Sequence, residues 1–167
     1  MLCNNVNTNE AIFVGIDPSI TATGLIVLDQ DQCIMKQDLI KTTTKDEMEE
    51  RLVYIKKEIS FIPKIWRLKT VYIEGPSYGS KGNAVLQMGA LHFLIRIFLY
   101  ENNIEYKVIP PKTLKVFHCG NGNAKKAEVL DLVEQTLGVR FNDHNIADAY
   151  GLARMALRDY NSTEGRK

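Results

Sequence analysis

The chain has 167 residues, 45% hydrophobic and 25% charged, with a formal net charge of +1. This is ordinary globular composition at a length that suits one domain, which excludes disordered, collagen-like and low-complexity classes. Cys3, Cys33 and Cys119 are odd in number, far apart and without a CxxC pair; the expectation is no disulfide framework or structural zinc site, and a reducing, intracellular compartment.

Residues 1–10 read as a loose polar tail without the basic and apolar regions of a secretory signal. The apolar run 11–16 (AIFVGI) predicts a buried strand ending at Asp17-Pro18, since proline keeps the residue before it extended. Two further strands are expected over 23–28 and 33–40, joined by a hairpin loop at 29–32. Apolar residues at Met48, Leu52, Ile55, Ile59 and Ile62 follow a helical period, and Pro63 is expected to end that helix. A fourth strand, Thr70-Val-Tyr-Ile-Glu74, leads into the loop Gly75-Pro-Ser-Tyr-Gly-Ser-Lys-Gly82. A long helix over 83–101 is apolar on nearly all sides, yet Gln87, His92 and Arg96 make it too polar for a membrane span and suit heavy burial. A fifth strand, 105–109, stops at Pro110-Pro111. Asn123 is expected to cap a helix running to Leu137, with Gly138 at its end, and a last helix covers 143–160 before a polar tail, 161–167. The pattern predicts an α/β fold: one mixed five-stranded sheet flanked by helices, in a single domain over 11–160.

Charge is unevenly spread. The middle of the chain carries Lys81, Arg96, Lys107, Lys112, Lys115, Lys125 and Lys126 against only Glu101 and Glu105, between flanks with an acidic excess. Local lysine and arginine, rather than net charge, make phosphate contacts, so this distribution fits a polyanion as well as it fits a solvated surface.

Three acids fall where chemistry is expected. Asp17 and Glu74 end apolar strands, and Asp148 lies on a small or apolar side of the last helix, within Ile-Ala-Asp-Ala-Tyr. Unpaired acids are costly to bury. Carboxylates brought together from adjacent strand ends and a facing helix repel one another unless cations bind, and oxygen-only ligands suit Mg²⁺ or Mn²⁺. Two such ions can drive phosphodiester cleavage. The alternative from pattern alone is three unrelated surface acids.

Gly15-Ile-Asp-Pro-Ser-Ile-Thr-Ala-Thr-Gly24, then Tyr72-Ile-Glu74 before a Gly/Ser/Lys loop, then Ile146-Ala-Asp-Ala-Tyr-Gly-Leu-Ala153, together resemble the RuvC-type Holliday junction resolvases over residues 11–158. Those are homodimeric endonucleases of the ribonuclease H-like fold. The resemblance implies a structure-selective endodeoxyribonuclease that resolves four-way junctions by paired symmetric nicks, using two Mg²⁺ ions per site (Mn²⁺ substituting) and no small-molecule cofactor. Asp17 would bridge the ions, Glu74 would bind the first, and Asp148 would complete the set. The family places a fourth ligand three residues before the last aspartate, where this chain has Asn145. His144 is favoured instead, with Asp143 and Asn145 left open. Lys115 and Lys126 match family lysines near the scissile phosphate, while Lys112 and Lys125 suit backbone contacts. In the loop after Glu74, Tyr78 matches an aromatic wedge at the junction centre, with Lys81 beside it. The long apolar helix would form the dimer interface. Alternatives are a nuclease preferring flaps, forks or other branched nucleic acid, and a junction-binding protein that does not cut. A bacterial cytoplasm or that of a phage-infected host is implied, without membrane association.

Overall fold

The computed structural model describes residues 11–76, 82–123, 125–138 and 140–164. The expected 1–10 tail lies outside them, as do Tyr78 and Lys81. The strands are β1 (Ile12–Asp17), β2 (Ala22–Leu28), β3 (Ile34–Lys41), β4 (Leu68–Glu74) and β5 (Tyr106–Ile109), and the sheet order is β3-β2-β1-β4-β5. β1 to β3 form an antiparallel meander, while β4 and β5 run parallel to β1, so the sheet is mixed. The short β1–β2 and β2–β3 links allow hairpins, whereas the parallel pairs need helical crossovers.

Successive side chains of a strand point to opposite faces, and both faces here are covered. Ile12, Val14 and Ile16 of β1 pack with Val71 and Ile73 of β4 against α1 (Met48–Ser60), α2 (Ile62–Ile65) and α3 (Asn83–Glu101), through Ile55, Ile59, Ile62, Leu91 and Ile95. On the other face, Phe13, Ile26 and Tyr72 meet the last helix, α6 (His144–Glu164), through Ala149, Leu152 and Ala153. The two smaller helices α4 (Pro111–Cys119) and α5 (Lys126–Leu137) sit beside α6.

The structure departs from expectation in several places. Pro63 does not terminate the helical segment: α1 ends at Ser60, and Pro63 sits in the first turn of α2, where its missing N–H costs nothing. Residues 111–119, to which the sequence pattern assigned no element, form α4 for the same reason, with Pro111 in its first turn and Gly120 closing it at φ 69°. Asn123 caps no helix. It stands in a turn where its N–H donates to Asn121 Oδ1 at 3.0 Å, and α5 starts only at Lys126. α6 runs on to Glu164, into the stretch expected as tail. Cys33 is disulfide-bonded and Cys119 is a free thiol. Separation in sequence does not limit separation in space, so cysteine spacing cannot carry the compartment argument.

α3 also differs from expectation, because it is not heavily buried. By length and a mean hydropathy of 1.3 it would pass for a membrane-spanning segment, with only 28% of that window buried. Leu91, His92, Ile95, Phe98 and Leu99 form one buried stripe against the sheet. A second stripe, Leu86, Phe93, Ile97 and Tyr100, is exposed, with Leu86 at 73% and Tyr100 at 78%.

Candidate active site

Asp17 and Glu74 are brought together by sheet register. β1 and β4 are parallel neighbours, and Ile16 pairs with Ile73, so the next residue of each strand is one of the two acids. By alternation both lie on the α6 face, with Phe13 and Tyr72. Asp17 is buried, and Glu74 is half-buried at the rim.

The third acid depends on how closely α6 approaches the sheet. A Cβ placed on Gly15 would lie 1.8 Å from the Ala149 carbonyl oxygen and 2.7 Å from the Ala153 nitrogen. One placed on Gly24, which pairs with Asp17 across β1–β2, would lie 2.1 Å from the Asn145 carbonyl oxygen. Glycine at these two positions, with Ala149 and Ala153 on the helix, lets the α6 backbone rest on the strands. Asp148 then faces the two strand-end acids, and ligand atoms of Asp17, Glu74 and Asp148 all lie within 4.8 Å of one another. Among the described residues, this is the group of acids, histidines and cysteines that could hold a metal ion.

These carboxylates line a groove of about 620 Å³ shared with Ser19, Thr21, Lys115, Asp143, His144 and Asn145. The turn after Asp17 is tied down at several points. Ser19 N–H donates to Thr23 Oγ1 at 3.1 Å, and the Thr23 hydroxyl donates to the Ser19 carbonyl at 2.6 Å. Buried Arg51 of α1 reaches across to donate to the Ile20 carbonyl at 3.2 Å and to Thr42 Oγ1 at 2.9 Å. Sequence reading gave Arg51 no role; a charged residue on the apolar side of α1, next to Ile55, is the signal that could have marked it.

The N-terminus of α6 is equally well held. Asp143 Oδ1 accepts the Asn145 N–H at 2.8 Å, a capping bond, and Asn145 Nδ2 donates to the Ala22 carbonyl of β2 at 2.7 Å. Asp143 and Asn145 therefore have structural duties, while His144 lines the groove outside the three-carboxylate group. Lys115 reaches the groove from α4. Lys112, near the start of α4, and Lys125, just before α5, are exposed. Lys126 is the first residue of α5.

One histidine was missed. His118 of α4 has a side chain only 2% exposed, with Nε2 3.8 Å from Asp148 Oδ1. Burial, aided by the nearby Arg154 cation, pushes its pKa down to about 4, so the ring is neutral at pH 7.

The donor set here is carboxylate oxygen, with no thiolate. It suits a hard divalent cation, and the mutual repulsion of three close carboxylates is what such a cation relieves. A parallel strand pair carrying acids at its ends, a meander beside it and a helix bringing a third acid define a ribonuclease H-like nuclease architecture.

Comparison with known proteins agrees. The family model described as crossover junction endodeoxyribonuclease RuvC matches residues 13–155. A protein of that name from Brachyspira hyodysenteriae is 26% identical over 145 residues, covering 85% of this chain and 91% of its own. One from Rickettsia massiliae is 24% identical over 151 residues, covering 87% and 96%. Thermus thermophilus RuvC, solved in complex with Holliday junction substrate, superposes with a TM-score of 0.75 at 21% identity, covering 92% of this chain and 96% of that one. The yeast mitochondrial Holliday junction resolvase Ydc2 gives a TM-score of 0.61 at 12% identity, covering 95% and 84%. The chain belongs to the RuvC family of crossover junction endodeoxyribonucleases.

Proposed function

We propose that this chain is a divalent-metal-dependent endonuclease that resolves Holliday junctions by paired symmetric nicks. The observation that carries the reading is the convergence of Asp17, Glu74 and Asp148 within one groove, in a chain of this family. Its relatives are named for junction cleavage, and the Thermus homologue was solved with the junction as its substrate.

Asp17, Glu74 and Asp148 would hold two Mg²⁺ ions, with Mn²⁺ able to substitute. His144 serves as the fourth ligand, since Asp143 caps α6 and Asn145 holds β2. When bound, the ions supply water activation and charge neutralisation for phosphodiester hydrolysis. The chain's own groups do the rest. Lys115, and Lys126 at the start of α5, stabilise charge developing on the phosphate. Lys81, Lys112 and Lys125 contact the backbone, and Tyr78 stacks on a base near the junction centre, a contact worth about 1–3 kcal/mol. No small-molecule cofactor or membrane takes part, and the protein works in a bacterial or phage-infected cytoplasm.

A homodimer completes the reading. The exposed stripe of α3 repeats at helical spacing, with Ala90 exposed between Leu86 and Phe93, and suits packing against the same helix of a second copy. A twofold dimer presents two sites to a near-twofold junction, so two like strands are nicked.

The test is cleavage of an end-labelled synthetic four-way junction by wild type and Asp17→Asn, in Mg²⁺ and in EDTA, beside duplex, flap and fork controls. Symmetric nicks by the wild type in Mg²⁺ are expected. The variant should lose at least about 100-fold in rate, from several kcal/mol of metal-borne stabilisation, and still bind the junction in EDTA. Tight binding with no cut in Mg²⁺ or Mn²⁺ would overturn the reading in favour of a junction-binding protein. Preferential cutting of flaps or forks would replace the substrate.

A further inference from the structure

Resting on the reading above, a second feature of the groove gains a function. α4 presents two side chains toward α6, three residues apart. Lys115 lines the groove, and His118 is enclosed behind it. The imidazole lies in a notch on α6: a Cβ on Gly151 would stand 2.2 Å from both Cε1 and Nε2 of His118. Gly151 is one helical turn beyond Asp148, so the ring that fills the notch is directed along α6 toward that carboxylate. Nε2 is buried without a hydrogen-bond partner among the described residues, and Asp148 Oδ1 is 3.8 Å away. A shift of about 0.8 Å brings the pair to hydrogen-bond distance. A buried donor left unmade is costly, and carboxylates that bind metals are themselves held by a second ring of hydrogen bonds.

We propose that His118 is a positioning residue for the metal site: its Nε2–H donates to one oxygen of Asp148 and turns the other toward the cation, with Gly151 as the notch that admits the ring. The same contact docks α4 on α6 and thereby sets Lys115 at the groove, so metal ligand and phosphate-facing lysine are placed by one side chain.

Two measurements test this. In metal-free protein labelled with ¹⁵N-histidine, long-range ¹H–¹⁵N spectra should show His118 protonated at Nε2 and perturbed by Asp148→Asn. An Nε2 that carries no proton, or that is indifferent to Asp148, overturns the proposal. In junction cleavage, His118→Leu keeps bulk but no donor, and should raise the Mg²⁺ concentration for half-maximal rate by about 10–100-fold. His118→Gln, which restores an N–H donor, should recover most of the loss. A wild-type Mg²⁺ requirement in His118→Leu, or equal damage in both variants, overturns the proposal. Should His118→Leu fail to fold, the spectrum decides. Should the wild type cut no branched DNA, the resolvase reading fails while the spectrum still judges the His118–Asp148 pair.

Discussion

Gly15→Ala is the sharpest test of how the site is assembled. The added methyl meets only backbone: Ala149 O at 1.8 Å, Ala153 N at 2.7 Å and Ala149 C at 2.9 Å. No side-chain rotation relieves that. α6 must move away from β1 by about 1.6 Å, the difference between 1.8 Å and the 3.4 Å at which contact becomes ordinary. Overpacking of this kind costs about 1–3 kcal/mol. Ala149 directly follows Asp148, so the displacement is passed to the carboxylate, whose partners now lie within 4.8 Å. A misplacement of about 1 Å at a reacting centre lowers rate by about 100-fold. Urea unfolding and single-turnover junction cleavage, corrected for the folded fraction, measure the two effects separately. A wild-type midpoint would refute the seating of α6 on Gly15. A lowered midpoint with a wild-type cleavage rate would show that the seat does not set the Asp148 position.

Asn145→Ala removes the amide that ties α6 to the Ala22 carbonyl; urea unfolding should show a loss of about 1 kcal/mol, and cleavage should fall by up to about tenfold. Tyr72→Phe deletes the 2.8 Å bond from the Tyr72 hydroxyl to Asp159 Oδ2 and should cost about 1 kcal/mol near neutral pH. Burial of Asp159 opposes its ionisation, but Arg158, Tyr72 and Lys107 together hold its pKa below the ordinary 3.8. Its stabilising contribution is therefore present above 3.8 and is lost as pH falls through the lower folded value, so wild-type and Tyr72→Phe unfolding curves should converge in acid. The double variant Leu86→Glu, Ile97→Glu places charge in the exposed α3 stripe. Sedimentation should show a monomer that circular dichroism finds folded, and a persisting dimer would reject the α3 interface.

Composition, periodicity and motif spacing determined much about this protein by themselves. Strand ends marked by Asp17-Pro18 and Glu74-Gly75 are visible because apolar β-branched runs stop there, and the five strands and four longer helices follow from periods of two and 3.6. The three acids were legible because each breaks an apolar context. α4 was not read, since Pro110-Pro111 signals a stop as readily as a helix start, and with it the burial of His118 was lost. Only the tertiary structure decided that Gly15, Gly24 and Gly151 are contact points rather than turn residues. What fills the space of a missing Cβ comes from α6 or α4, far away in the chain. The same holds for Arg51, whose partner carbonyl at Ile20 lies 31 residues away in the chain, and for the two stripes of α3. One helix sequence is apolar on both faces, and which face is covered depends on where the sheet lies.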